Sequence, residues 1–152
     1  MYLDLLQALE IKEIKLYNMA FIAVDDIESE SAIYKRIGPR HYITINSAYT
    51  KALIQKPIET SYILADIIAH EIIHQCCNIN GVRDIDKIRP DYHTYIFRNV
   101  ATKNGLYTGD RVAYKGYCIT TLPIQIYRRI ISHEHIKAIL EKYATMQAYY
   151  DF

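Results

Sequence analysis

An α+β fold is predicted for this 152-residue chain: a small antiparallel sheet packed on a long central helix, with further helices after it. Three observations predict it. Short segments of β character fill residues 18–45, with clear alternation over 42–45. A long apolar segment follows, opening on Pro57, Thr60 and Ser61 and closing on Asn80-Gly81. Two later segments return to helical spacing. The length suits one sizeable core, so 1–152 is read as a single domain.

The elements follow in order. Residues 3–17 place Leu3, Leu6, Leu9 and Ile14 between charges, the pattern of an amphipathic helix. Residues 18–24 are apolar and short, as in a strand, and Asp25-Asp26-Ile27-Glu28 reads as a loop. Residues 32–37 are strand-like until Gly38-Pro39 breaks them, and Tyr42-Ile43-Thr44-Ile45 pairs with that neighbour. The central helix runs from 57–61 through Cys77. Its Ile63, Leu64, Ile67, Ile68, Ile72 and Ile73 wrap much of the circumference, the mark of a buried helix. Residues 81–92 are polar and form a loop. A helix from residue 91 or 93 carries Ile96, Phe97 and Val100 and ends at Asn104-Gly105. Residues 107–121 alternate around Gly109-Asp110 and Lys115-Gly116 and read as a hairpin or an irregular β segment, and 126–149 has helical spacing.

Composition narrows the function classes. No apolar run reaches the roughly 18 residues of a membrane span. Asp4, Glu10 and Glu13 stand where a secretory signal needs a basic start, so a cytoplasmic protein is expected. Cys76, Cys77 and Cys118 form neither a disulfide framework nor a C-x-x-C pair, and buried free thiols are expected. The net charge of +1 is unevenly spread. Residues 1–30 set Lys12 and Lys15 against seven acids, and the remainder carries 16 basic and 10 acidic residues. Scattered solvated charge is the expected outcome.

The chemistry lies in His70-Glu71-Ile72-Ile73-His74, an H-E-x-x-H run inside the apolar helix. Residues four apart share a helix face, so both imidazoles can address one ion while Glu71 reaches a water on it. Buried without partners, three such groups would cost several kcal/mol in aggregate, and a metal is the simplest compensation. The motif is short, so a third ligand has to complete the argument. A catalytic zinc site takes three protein ligands and a water. His93, 19 residues past His74 and at the start of a helix, is the best candidate. Asp91 is its nearest rival, or a group that orients a ligating imidazole from behind. Asp84, Asp86 and Glu134 are further acids in reach. His133 and His135, beside Arg128-Arg129, read as an exposed helical face, and His41 as a surface or strand-entry residue. Phe97 reads as core packing.

These residues resemble the SprT-like zinc metallopeptidase domain: HEIIHQ, a loop, Asp91-Tyr92-His93-Thr94-Tyr95-Ile96-Phe97, then Asn104-Gly105-Leu106, after a strand Tyr42-Ile43-Thr44-Ile45-Asn46. The similarity covers roughly residues 40–106. It implies a zincin-like α+β fold, with His70, His74 and His93 as Zn2+ ligands and Glu71 as general base. The family includes Spartan-type proteases that cleave proteins crosslinked to DNA, and small versions in bacterial and phage genomes. Two departures stand out. Thr94 replaces the family's usual Gly after the third His, and the chain carries no Cys-rich zinc module.

The implied activity is peptide hydrolysis by a metal-bound water that Glu71 deprotonates, on protein or peptide substrates, with DNA-associated proteins among them. Tyr92, Tyr107, Tyr114 and Tyr117 are chemically able to stabilise the oxyanion. The rival class is an inactive zinc-containing module that binds nucleic acid or protein. Seven Lys/Arg against four acids between Arg83 and Lys115 would contact phosphates, with Tyr92, Tyr95, Phe97 and Tyr107 stacking on bases. Retention of Glu71 favours the enzyme, because a structural site has no use for a base. Oligomeric state is not legible in the sequence.

Overall fold

A computed structural model describes residues 1–89, 92–108 and 120–130. The chain opens with α1 (Tyr2–Ala8), well short of the helix expected over 3–17. Glu10 adopts a left-handed conformation, φ 53°. The Ile11 N–H then donates to Leu6 O and the Glu10 N–H to Gln7 O, which closes the helix end. A non-glycine residue there costs about 1–2 kcal/mol. Burial of Leu6, Leu9, Ile11 and Ile14 in one cluster offsets it. The buried face is Tyr2, Leu5, Leu6 and Leu9, while Leu3 is 61% exposed.

A 3-10 turn (Leu16–Asn18) leads to β1 (Ala20–Asp25), followed by β2 (Ala32–Ile37) and β3 (Arg40–Asn46). β3 inserts between the other two, antiparallel to β2 but parallel to β1. The sheet is therefore mixed, where an antiparallel one was expected. Pairing direction depends on where β3 returns, which local alternation does not encode. Along β3 the alternation is clean: His41, Ile43 and Ile45 are buried, and the residues between them are not.

A helix with no counterpart in the sequence reading, α2 (Ala48–Gln55), packs beside the central helix α3 (Pro57–Ile79). The Asn46 carboxamide oxygen accepts from the Ala48 N–H at 3.0 Å, and the Thr60 hydroxyl donates to Ala52 O at 3.0 Å. α3 ends as expected. Gly81 takes φ 65°, and the Val82 N–H donates to Cys77 O. Burial along α3 is uneven. Ile58 and Ile63 are exposed near its start, whereas every residue from Glu71 to Cys77 is buried. Glu71 and His74 of the motif thus sit in the buried stretch, with His70 partly exposed just before it. Gln75 anchors it to the N-terminal segment, accepting from Tyr2 OH at 2.9 Å and donating to Asn18 O at 2.8 Å. Cys76 and Cys77 are buried free thiols.

After α3 comes α4 (Tyr95–Lys103), preceded by Thr94 as its N-cap and closed by Asn104-Gly105. β4 (Tyr107–Thr108) and β5 (Thr120–Thr121) pair antiparallel, in accord with the expected hairpin, whose turn residues lie outside the described ones. α5 (Ile124–Ile130) covers the described start of the helix expected over 126–149. No helix among the described residues is long and apolar enough to cross a membrane.

Candidate metal centre

Helical spacing puts His70 and His74 on one face of α3, one turn apart. His93 reaches them because the loop after α3 folds back on itself. Ile85 and His93 form an antiparallel bridge, with Asp86 N–H donating to Tyr92 O and Thr94 N–H to Asp84 O. Thr94 locks this arrangement. Its hydroxyl donates to Arg83 O at 2.6 Å and accepts the Phe97 N–H at 3.3 Å. Thr94 is therefore the helix cap.

The three imidazoles converge through Nε2. The edges of the triangle are 3.2 Å (His70–His93), 3.2 Å (His70–His74) and 3.0 Å (His74–His93). A tetrahedral zinc with bonds of about 2.0–2.1 Å holds its ligand nitrogens about 3.3 Å apart, so the triangle fits such an ion closely. The donor count agrees. A neutral imidazole carries one N–H. His74 spends it at Nδ1, donating to Asp84 Oδ2 at 2.6 Å, which leaves Nε2 as a lone pair. His70 Nδ1 lies 3.0 Å from Thr120 Oγ1, a hydroxyl able to accept its N–H. In that form the Nε2 lone pairs of His70 and His74 face each other, and a cation between them relieves the repulsion. Among the described residues no fourth His, Cys, Asp or Glu joins the group.

Electrostatics favour a neutral His70. Burial, then the positive charge His74 and His93 would carry, holds His70 well below the usual histidine pKa. Burial would raise the Asp84 carboxyl, but the His74 hydrogen bond and charge, with the backbone N–H groups of Asp84 and Ile85, hold it below the usual carboxylate range. Asp84 therefore stays an anion behind His74. Glu71 is buried beside the triad. Burial raises its pKa, against the pull of the His74 charge and the Tyr34 backbone N–H.

Phe97 is fully buried beneath the cluster, its ring centroid 5.0, 4.5 and 4.7 Å from those of His70, His74 and His93. It is core packing, as expected, and also the wall against which all three rings pack, two tilted and His93 edge-on. The other candidates separate. Asp84 orients a ligand instead of being one. Asp86 accepts the N–H groups of Ile88 and Arg89 in its own loop. Asp91, His133, Glu134 and His135 lie outside the described residues, as do Cys118, Tyr114 and Tyr117. Tyr92 stacks under the Arg89 guanidinium at 3.9 Å, and Tyr107 is 63% exposed. Burial pushes the Cys77 thiol up to about 12, which makes it a poor ligand or nucleophile. His41 stands at the entry of β3, one of its two expected readings, but it is not a surface residue: it is 3% exposed on the core face, in a hydrogen bond of 2.7 Å with Tyr34 OH.

No family model, curated protein or solved structure matches this chain significantly. What the site can do is thus argued from its own geometry.

Proposed function

We propose that this protein is a zinc-dependent metallopeptidase, with His70, His74 and His93 holding the ion and Glu71 as general base. The observation that carries the reading is the Nε2 triangle with edges of 3.0–3.2 Å, formed on the same buried helix turn as Glu71. An all-nitrogen ligand set suits zinc. Bound there, zinc would supply Lewis-acid polarisation of a carbonyl and a water made acidic enough to deprotonate near neutrality.

The chain's own residues do the rest. Asp84 and Thr120 hold the imidazoles of His74 and His70 with their Nε2 atoms inward. Glu71 takes the proton of the attacking water and passes it to the leaving amine. A carboxyl whose burial raises its proton affinity suits a group that must hold the proton between two transfers. The substrate reading rests on β2, an edge strand of the sheet among the described residues, beside Glu71. Such an edge offers hydrogen bonds to an extended polypeptide. The resemblance to the SprT-like domain supports the zincin-like assignment and extends the substrate to proteins associated with DNA. Exposed Arg83, Lys87 and Arg89 on the loop next to the site supply the matching charge.

The test is zinc content of the purified protein together with cleavage of an unfolded protein such as casein, with and without single-stranded DNA. Cleavage that stops on chelation and in Glu71→Gln is the expected result. One zinc per chain with no cleavage under either condition would overturn the peptidase and leave a zinc-containing binding module.

A further inference from the structure

The central helix carries one stripe at intervals of four: Ile58, Tyr62, Asp66 and His70. The chain returns along this stripe between residues 120 and 127, running the opposite way. Tyr127 OH donates to Ile58 O at 3.0 Å. Tyr62 OH donates to Leu122 O at 3.0 Å, and the Tyr62 and Tyr127 rings meet edge-on at 4.9 Å. The Leu122 N–H donates to Asp66 Oδ1 at 2.6 Å. At the far end Thr120 Oγ1 lies 3.0 Å from His70 Nδ1. Thr120, Leu122 and Tyr127 are all buried. Each turn of the helix thus makes a polar contact with the strap, and the last contact is to the proposed metal ligand.

We propose that the 120–127 strap is the device that positions His70, with Thr120 as the positioning residue and Asp66 and Tyr62 setting the strap's register. The proposal rests on the metal-site reading above. An imidazole at the end of two rotatable bonds can present either nitrogen. A hydroxyl fixed behind Nδ1 can accept its N–H and holds the ring angle that sends Nε2 to the other two histidines. The hydroxyl can do so only if its own backbone is held, and a two-residue strand does not hold it alone. Asp66 does, by fixing the Leu122 N–H two residues on. His74 is served by a separate support, Asp84, on a loop that follows α3 directly. The two ligands of the motif are therefore oriented independently, one by a near segment and one by a distant segment.

The experiment measures zinc affinity by competition with a chromophoric chelator, and the visible spectrum of the cobalt-loaded protein, in the parent and four variants. Thr120→Val keeps the shape and removes the hydroxyl, and should weaken zinc about 10–100-fold with an altered cobalt spectrum. Thr120→Ser restores the hydroxyl and should return both readouts to near the parent. Asp66→Ala should weaken zinc through the strap, while Asp66→Asn, which still accepts from Leu122, should rescue it. Parent-like affinity and spectrum in Thr120→Val would overturn the strap and leave the metal site standing. Equal weakening in Thr120→Val and Thr120→Ser would overturn it too, because the hydroxyl would not be the cause. A parent that takes up no zinc would overturn the metal-site reading, and the strap's role with it.

Discussion

His41 and the His70–His74–His93 cluster are both buried histidine environments, yet they are built for opposite ends. His41 stands on a strand with its Nδ1 satisfied at 2.7 Å by a tyrosine hydroxyl. In the cluster the outer partners, Asp84 and Thr120, take the Nδ1 atoms of His74 and His70, and the Nε2 atoms face one another at 3.0–3.2 Å. Burial alone does not make a histidine a ligand. What separates the two is what the rings are aimed at: His41 turns Nδ1 to a protein hydroxyl, while the three rings turn their Nε2 atoms to each other.

The largest break in the comparison comes from deleting a ring on each side. His93→Ala should drop zinc from about one per chain to near none, and lose the thermal stabilisation that excess zinc gives the parent. That stabilisation is about 4 kcal/mol for zinc at a thousand times its Kd. His41→Ala should lose about 2 kcal/mol of stability through the cavity and the orphaned Tyr34 hydroxyl, and keep both zinc and its stabilising effect. Elemental analysis and thermal melts with and without zinc separate the two. A His41→Ala protein that lost zinc while folded would remove the distinction.

Next comes the base. Glu71→Gln should keep the zinc of the parent and lower peptide hydrolysis by about 10²–10⁴-fold, the usual contribution of a positioned proton acceptor. Unchanged turnover would show that Glu71 is a buried carboxyl with no part in the chemistry. A smaller effect is expected behind His74. Asp84→Ala should weaken zinc about 10–100-fold by chelator competition. Asp86→Ala, two residues away on the same loop, should leave it where it was. Equal losses in both would assign the effect to loop folding and not to the Asp84–His74 bond.

Much of this was legible in the sequence, and the exceptions share a cause. Pro57 and Asn80-Gly81 mark the ends of α3 locally, and H-E-x-x-H with a histidine 19 residues on names the triad that the structure brings together. The strands β2 and β3 announce themselves by alternation. The parallel placement of β1 does not, because it is decided by where β3 inserts. The left-handed Glu10 that ends α1 early does not either, since no glycine or asparagine marks it. Thr120 is 50 residues from His70, and no local pattern joins them. Asp84 was visible only as one acid among several, and the bridge that aims it at His74 depends on the folded loop. Of the two readings of His41, strand entry holds and surface does not: it shares its period-2 face with Ile43 and Ile45, which already placed it inward.

The smallest effect sharpens the contrast through pH. Burial, and then the positive charge of Arg36, hold the His41 pKa below its ordinary value, while burial pushes the Tyr34 phenol up to about 12 and keeps it a hydrogen-bond donor. The folded state thus binds a proton at His41 less readily than the unfolded chain does. Its contribution to stability is fully present above the ordinary histidine pKa of about 6.5 and declines as pH falls from there toward the lower folded value. His41→Gln removes that titration. In zinc-loaded protein, urea melts between pH 7.5 and 5.5 should show the parent losing stability faster than His41→Gln on acidification. Parallel curves would mean that His41 titrates alike in both states, and that burial beside Arg36 does not set its protonation.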